Sequence, residues 1–457
     1  MKIPKRIIAF TLVLLSVISI TQWSALAFRV GDKLGNVLNT DIKAYINETR
    51  IACYAVDNNI YVIAEDLSPY GFDVAWDKTT RSLSITYDSI PNGNVKPVIE
   101  NANKSGSIAF PYVYTDIVTY INGNLIDSFS IQGYTVICID DLAKEFGSLK
   151  WNGAKRELKL TTKYSMFSGE ELARIKEINK MLSDIAPKAK STYISEANIT
   201  TQSLGKLTQP FLDDGLAYIN FARYMAGLPT VALSDEFNNF AQHGAYVLLA
   251  TGQFTHYPTN TVNLPDSIFS AGRAACETSN LGLRISSLYD FNRACMDDSD
   301  SSNISNLGHR RWLLCPEIGY IGMGFIRDIA ITYIFDDSND FTDWDTINWP
   351  PAGVFPKSEF YAHTAWSVSL GENYKAGSST QVKITRQGDG ATWTLSNNSV
   401  KTGREYFNIE STNYGRSGPC IIFRPDIDEY KSAEEYKVTI TGLTGKSKEI
   451  SYTVKFF

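Results

Sequence analysis

Residues 303–325 read NISNLGHRRWLLCPEIGYIGMGF, and this stretch decides how the middle of the chain folds. Ser305 or Asn306 stands where a cap for the short helix LGHRRWLL is expected. Pro316 ends that helix, because its ring blocks the preceding turn and it has no N–H to donate. GYIGMGF (319–325) then reads as a strand whose glycines let a neighbouring backbone approach closely. IAITYIF (329–335) pairs with it as a further strand. His309, one of four histidines in 457 residues, falls in the first turn of the short helix.

Upstream, DDGLAYINFARYMAGLP (213–229) has apolar residues at helical spacing and stops at Gly227 and Pro229. A second helix starts at the cap Ser234, runs through DEFNNFAQHGAYVLLATG and stops at Gly252. QFTHYP (253–258) follows on a turn that can aim His256 into a cleft, and AACETSNL (274–281) supplies Glu277. The expected site therefore joins His256, Glu277 and His309. Two imidazoles and a carboxylate are a reasonable Zn²⁺ set that leaves one position open to water. A hydrolase would also need a placed base and an oxyanion-stabilising arrangement, and no H-E-x-x-H or G-x-S-x-G signature is present. The competing reading is a hydrogen-bonded network that stiffens a cleft. An aspartate of the run 290–300, namely Asp290, Asp297, Asp298 or Asp300, would favour the enzyme if it entered the cleft. His243 is read as a surface or packed residue, Asn220 and Arg223 as packing and salt-bridge residues, and Arg310 and Arg311 as helix-surface residues.

INFARYMAGLP, AQHGAYVLLATGQFTHY, the Glu277 segment, GHRRWLLCPEIGYIGMGF and ITYIF are similar, in order and rough spacing, to the bacterial form of the CAP superfamily (cysteine-rich secretory, antigen 5 and pathogenesis-related proteins). The resemblance spans about 130 residues and implies an α-β-α sandwich with helices on both faces of a small sheet. It also implies a cleft lined by two histidines and two glutamates, which binds a divalent metal in some members. His256 matches the histidine after the second helix, Glu277 the glutamate of Gly-Glu-Asn, and His309 the histidine of Gly-His. Two departures stand out: the glutamate motif begins Cys276-Glu277-Thr278, and the second glutamate has no match, since residues 286–306 contain only aspartates as acids.

The chain opens with Lys2, Lys5 and Arg6, an apolar run from Ile7 to Ile20 and the small-x-small pattern Ala25-Leu26-Ala27. This reads as a cleaved export signal over residues 1–27, since the run is short for a membrane span. Loss of those three cations takes the net charge from −6 to −9, which argues against a nucleic-acid partner. The expected location is secreted, extracellular or non-covalently attached to the cell surface, with no membrane span after cleavage. Six cysteines without a C-x-x-C pair exclude a disulfide scaffold and a zinc ribbon. One bridge among Cys276, Cys295 and Cys315, or buried free thiols, both remain open.

TDIKAYINETRI (40–51) and TDIVTYINGNLI (115–126) match at an offset of 75, which also carries Asp66 onto Asp141, Trp76 onto Trp151 and Arg81 onto Arg156. Repeats of about 37–88 and 112–162 follow, each read as a small α+β module. The acids Glu65-Asp66 and Asp140-Asp141 are expected to cap one helical turn. YVIAEDLSPYGFDVAWDKTTRSLSIT (61–86) resembles the copper amine oxidase N-terminal-like, or stalk, domain of secreted bacterial proteins, over residues 28–162. This implies a spacer or surface-association role and no copper chemistry, since the segment lacks histidine.

SGEELARIKEINKMLSDI, capped by Ser168, and the polar stretch after it read as a helical linker over 163–208 with a loose end. The CAP segment is set at 209–340. From 341 to 457, alternating strands such as YKVTITGL and EISYTVKFF suggest an immunoglobulin-like sandwich in which His363 is isolated. The expected fold class is thus multidomain α+β: duplicated small α+β stalk modules, a CAP α-β-α sandwich and a C-terminal all-β sandwich. The expected function is a non-enzymatic CAP-domain protein that binds an apolar or extended ligand, or a cell-wall or host surface component. The alternative is a peptidase-like extracellular hydrolase using a divalent metal, zinc being the candidate, on His256, Glu277 and His309.

Overall fold

A computed structural model describes residues 28–87, 94–99, 103–162, 167–342, 344–398 and 404–457; the expected export signal lies outside them. The protein is mixed α+β, with strands in several sheets and seven α-helices among the described residues. It divides into two compact units, one ending at Thr161 and one covering Thr162–Phe457.

In the first unit the repeat becomes a structural symmetry. The strand Ser82–Tyr87 pairs in parallel with Val118–Ile121 in the register Ser82 to Val118, and Glu157–Thr162 pairs with Lys43–Ile46 in the register Glu157 to Lys43. Moving each partner by 75 residues converts one pairing into the other. Each of these four-stranded sheets therefore takes one hairpin from either copy. A six-stranded closed barrel takes three strands from each, including Lys33–Leu38 and its counterpart Ile108–Val113. The copies are thus interlocked halves, not the separate modules expected, because neither can complete a sheet alone. The repeat also begins earlier than its visible sequence match, since KLGNVL and IAFPYV share no residue at equivalent positions.

The residues preserved between the copies now have a use. Arg81 donates from Nε to Asp116 at 2.8 Å, and Arg156 reaches Asp41 at 2.8 Å, each joining one copy to the other. These side chains are about half exposed, so solvent screens each pair and it adds little to stability. The acids expected as caps do not cap: the turn Ala64–Asp66 and the helix α1 (Ile139–Phe146) follow Ile63 and Cys138, with no side-chain cap bond. The carboxylates sit inside the first turns, where only the favourable helix dipole acts on them.

The second unit is built around a four-stranded sheet in the order Ala232–Leu233, Tyr320–Ile326, Ile329–Tyr333, Ser279–Leu283. Helices α3 (Gln209–Met225) and α6 (Leu288–Asp297) pack with Ile321, Met323, Phe325 and Ala330 on one face. Helices α4 (Asp235–Thr251) and α5 (Asp266–Glu277) pack with Leu281, Ile329 and Ile331 on the other. The glycines of GYIGMGF serve this contact. A Cβ on Gly322 would lie 2.0 Å from the Phe237 carbonyl carbon, and one on Gly324 would lie 2.5 Å from that of Ala241. Where the two-residue edge strand ends, α4 supplies side-chain amides in place of a neighbour. Asn238 Oδ1 accepts from Met323 N and Gln242 Oε1 from Phe325 N, both at 2.9 Å, which covers an edge that would otherwise be open to pairing.

The C-terminal strands form a four-stranded and a five-stranded sheet whose Trp366, Phe423, Tyr436 and Phe456 share one core with α3 and α6. The segment expected as a solvated linker is packed as well. Ser168 caps α2 (Gly169–Asp184) in a reciprocal box with Glu171, while Ile175 and Ile178 are buried and Glu171 meets Lys455 at 2.9 Å. Its polar tail is tied down too, since the Asp214 carboxylate accepts from the backbone N–H groups of Lys188 and Ala189.

Arg310 and Arg311, expected on a helix surface, are buried at 0% and 2% exposure. Arg310 donates to the carbonyls of Met296 and Ala365 at 2.7 Å, and Arg311 pairs with Glu410 and donates to Gly418 O. Arg223 is buried and, among the described residues, has no salt bridge, donating instead to the carbonyls of Pro229, Leu313 and Cys315. Guanidinium, with its fork of five donors, can satisfy several carbonyls at once where lysine could not.

Candidate functional site

Glu277 ends a helix, His309 lies in the first turn of another, and His256 follows the end of a third. Helix α4 terminates at Gly252 in the left-handed region (φ 66°), which turns the chain into the loop carrying His256. His256 Nδ1 lies 2.6 Å from Cys276 O. A carbonyl only accepts, so Nδ1 holds the hydrogen and the neutral ring presents a lone pair at Nε2. Glu277 is the last residue of α5, where the helix dipole disfavours a carboxylate. Arg273, one turn earlier, meets it at 2.9 Å and offsets that cost.

Helix α7 (Gly308–Leu313) carries His309 and is capped differently from expectation. Its N-cap residue is Leu307, held at φ 48° with no side-chain cap, while Ser305 and Asn306 do not serve. The cap comes from Asp298, which accepts from His309 N at 2.8 Å and Arg310 N at 3.2 Å. The other oxygen of Asp298 accepts from His309 Nδ1 at 2.8 Å. One buried carboxylate, 1% exposed, thus starts the helix and orients the imidazole. Burial pulls the His309 pKa down, but the Asp298 hydrogen bond and charge outweigh it and hold the ring above its ordinary value.

The two histidines are tied to one short segment of chain. Cys276 O, at the end of α5, holds His256, and Asn280, four residues on, donates from Nδ2 to His309 O at 3.1 Å. Glu277 lies between these two anchors. Among the described residues, however, no three His, Cys, Asp or Glu side chains are grouped so that they could hold a metal ion.

The other aspartates of the run have separate tasks. Asp290 accepts from the Ser286 and Ser287 hydroxyls at the start of α6. Asp300 accepts from Ser302 N and Asn303 Nδ2, bonds that outweigh burial and lower its pKa. Asp297 meets His363 Nε2 at 2.9 Å and accepts from Thr364 Oγ1 at 2.7 Å, so His363 is not isolated. His243 lies on α4 with Nδ1 against Asn239 O. All six cysteines are free thiols, four of them buried, and burial pushes Cys276 up to about 12, which leaves it inert as a nucleophile near neutral pH.

Asn280 is the site residue that sequence reading passed over; its signal was a lone amide in a short, largely apolar segment. Asp298 was visible only as one of four aspartates, because choosing it requires knowing where α6 ends. No protein-family model matches this chain, and comparisons with curated proteins and with solved structures return no match.

Proposed function

We propose that this chain is a secreted or surface-associated bacterial protein of the CAP type that binds an apolar or extended ligand without cleaving it, in the cleft of His256, Glu277 and His309. The observation that carries this reading is the way the three side chains are already committed. Both imidazoles are fixed through Nδ1, so Nε2 is the atom each can offer to a ligand, as a donor in the protonated His309 that Asp298 favours, while Glu277 is held by Arg273. Two fixed ring nitrogens suit recognition of a hydroxyl or amide, which can both donate and accept. The loop that bears His256 adds apolar surface beside them: Phe254, Tyr257 and Val262 are 43%, 67% and 47% exposed. The helices on both faces of the small sheet support the CAP reading, and the basic and apolar N-terminal residues support export. Asp298, which accepts from His309 Nδ1, supplies a carboxylate beside that histidine where the family's second glutamate has no match in the sequence.

Two titrations on the full chain test this. A fluorescent long-chain fatty acid is expected to bind the wild type and to bind the Phe254→Ser, Tyr257→Ser double variant about tenfold more weakly, the scale of a lost aromatic anchor. Calorimetry with Zn²⁺ is expected to give the same heats for wild type and for His256→Ala, His309→Ala. Micromolar Zn²⁺ binding that disappears in the variant would overturn the non-catalytic reading and favour the hydrolase.

A further inference from the structure

Each repeat of the first unit leaves one sheet edge open. Phe72–Asp77 ends the sheet that contains Ser82–Tyr87, and Gly147–Asn152 ends the sheet that contains Glu157–Thr162. Arg81 O and Ile85 O accept from Val118 N and Asn122 N, so the odd-numbered residues of this strand bond towards Val118–Ile121. The even-numbered ones bond the other way, to Asp73, Ala75 and Asp77. The N–H and C=O groups of Val74 and Trp76 therefore point out of the sheet, and they have no protein partner among the described residues. Lys43 N to Arg156 O and Asn47 N to Leu160 O repeat the pattern at the offset of 75, which places Leu149 and Trp151 at the same outward positions. An edge of this kind is a template for another strand.

The side chains of the two edges are complementary. Trp76 and Trp151 are 46% and 47% exposed, and they are identical although their neighbours have diverged to Ala75 and Asp77 in one repeat and Lys150 and Asn152 in the other. Antiparallel pairing through the outward groups sets Val74 against Leu149, and that register fixes the rest. Phe72 stands opposite Trp151, and Trp76 lies over Gly147, where no Cβ opposes the indole. On the solvent face Asp73 stands directly opposite Lys150, an ion pair of the kind that stabilises neighbouring strands. Pairing either edge with its own kind loses this contact. Centred on Val74 it sets Asp73 against Ala75, and centred on Leu149 it sets Lys150 against Ser148. A lysine on an edge usually keeps strands apart, and here it selects the edge that carries an aspartate.

We propose that this unit joins molecules of the chain head to tail, Phe72–Asp77 of one molecule adding antiparallel to Gly147–Asn152 of the next. The two strands lie in different sheets, so a molecule that uses one edge keeps the other for a further partner, which makes the contact heterologous and repeatable. Two strands of six residues bury less than a standard interface, so the association belongs to the weak, concentration-dependent class. It does not depend on the function proposed for the histidine cleft.

The test is sedimentation velocity of the full chain over a rising concentration series. The wild type is expected to shift reversibly to larger species. Asp73→Lys and Lys150→Asp each set like charges against one another, and each should weaken association by about tenfold or more. Both side chains are exposed, so circular dichroism and melting temperature should stay at the wild-type values. An equimolar mixture of the two variants should associate again, because each substituted side chain then meets its opposite charge in the other variant and the unsubstituted edges still match. A wild type that stays monomeric throughout, a single variant that associates as the wild type does, or a mixture that associates no better than either variant alone overturns the proposal.

Discussion

Asp298→Asn should change which nitrogen of His309 carries its hydrogen. In the native protein one Asp298 oxygen accepts from two backbone N–H groups and the other from His309 Nδ1. An amide keeps one acceptor oxygen, and the two backbone donors of α7 will claim it. Its NH₂ then faces His309 Nδ1, which must become an acceptor, so the ring hydrogen moves to Nε2. Three bonds to a charged group become neutral ones, a loss of about 1 kcal/mol each and about 3 kcal/mol together. The effect depends on pH with a definite sign. His309 has a raised pKa in the folded protein, so its pairing contributes fully below the unfolded value of 6.5 and is lost as pH rises through the folded value. The variant should therefore lose more stability at pH 5 than at pH 8. Urea unfolding followed by emission of Trp312 and its neighbours reads the second unit, and nitrogen-15 NMR of the imidazoles reads the tautomer and the pKa. If His309 keeps its hydrogen on Nδ1, or its pKa does not fall, Asp298 is not the group that orients it.

Two further outcomes follow from the packing. Gly322→Ala places a methyl 2.0 Å from the Phe237 carbonyl carbon, a backbone atom that cannot yield without moving α4, so it should destabilise the second unit by about 1–3 kcal/mol or more in chemical unfolding; an unchanged midpoint would mean that α4 does not lie against this strand. In the first unit, peptides covering 28–98 and 103–162 should each be largely unstructured by circular dichroism and should fold when mixed, because each four-stranded sheet takes a hairpin from either copy; a fragment that folds alone would show that the halves are not interlocked.

Much of the local structure could be read from the sequence, because local structure obeys local rules. Gly252 as a helix end and Ser168 as a helix cap each depend on residues a few positions apart, while Gly322 and Gly324 announced a close approach without naming the distant helix that makes it. The offset of 75 was legible for the same reason, since it compares like with like. What the repeat builds was not legible: pairing Ser82 with Val118 instead of within its own copy is a choice between equivalent strands, and hydrophobic alternation is the same in either case. The barrel strand KLGNVL escaped notice because its outer residues are exposed and leave almost no apolar pattern.

The buried arginines show where residue-type reasoning misleads. Two adjacent cations after a histidine look like a solvated helix face, since arginine is rarely buried unless its donors are met. Those donors are met from far along the chain: Ala365 O and Ser367 Oγ for Arg310, and Glu410 and Gly418 O for Arg311. No window centred on residue 310 contains them. The consequence reaches the candidate site, because His309 is bonded to Asp298 on one side and is followed directly by these two anchors on the other. The imidazole is therefore positioned as much by the C-terminal strands as by the helices around it. A segment ending at 340 would contain all three candidate site residues and yet lack the carbonyls and the carboxylate that keep α7 in place. The expected boundary between a CAP segment and a C-terminal sandwich divides the sequence by pattern, whereas the hydrogen bonds of Arg310 and Arg311 make the two segments one structural support for His309.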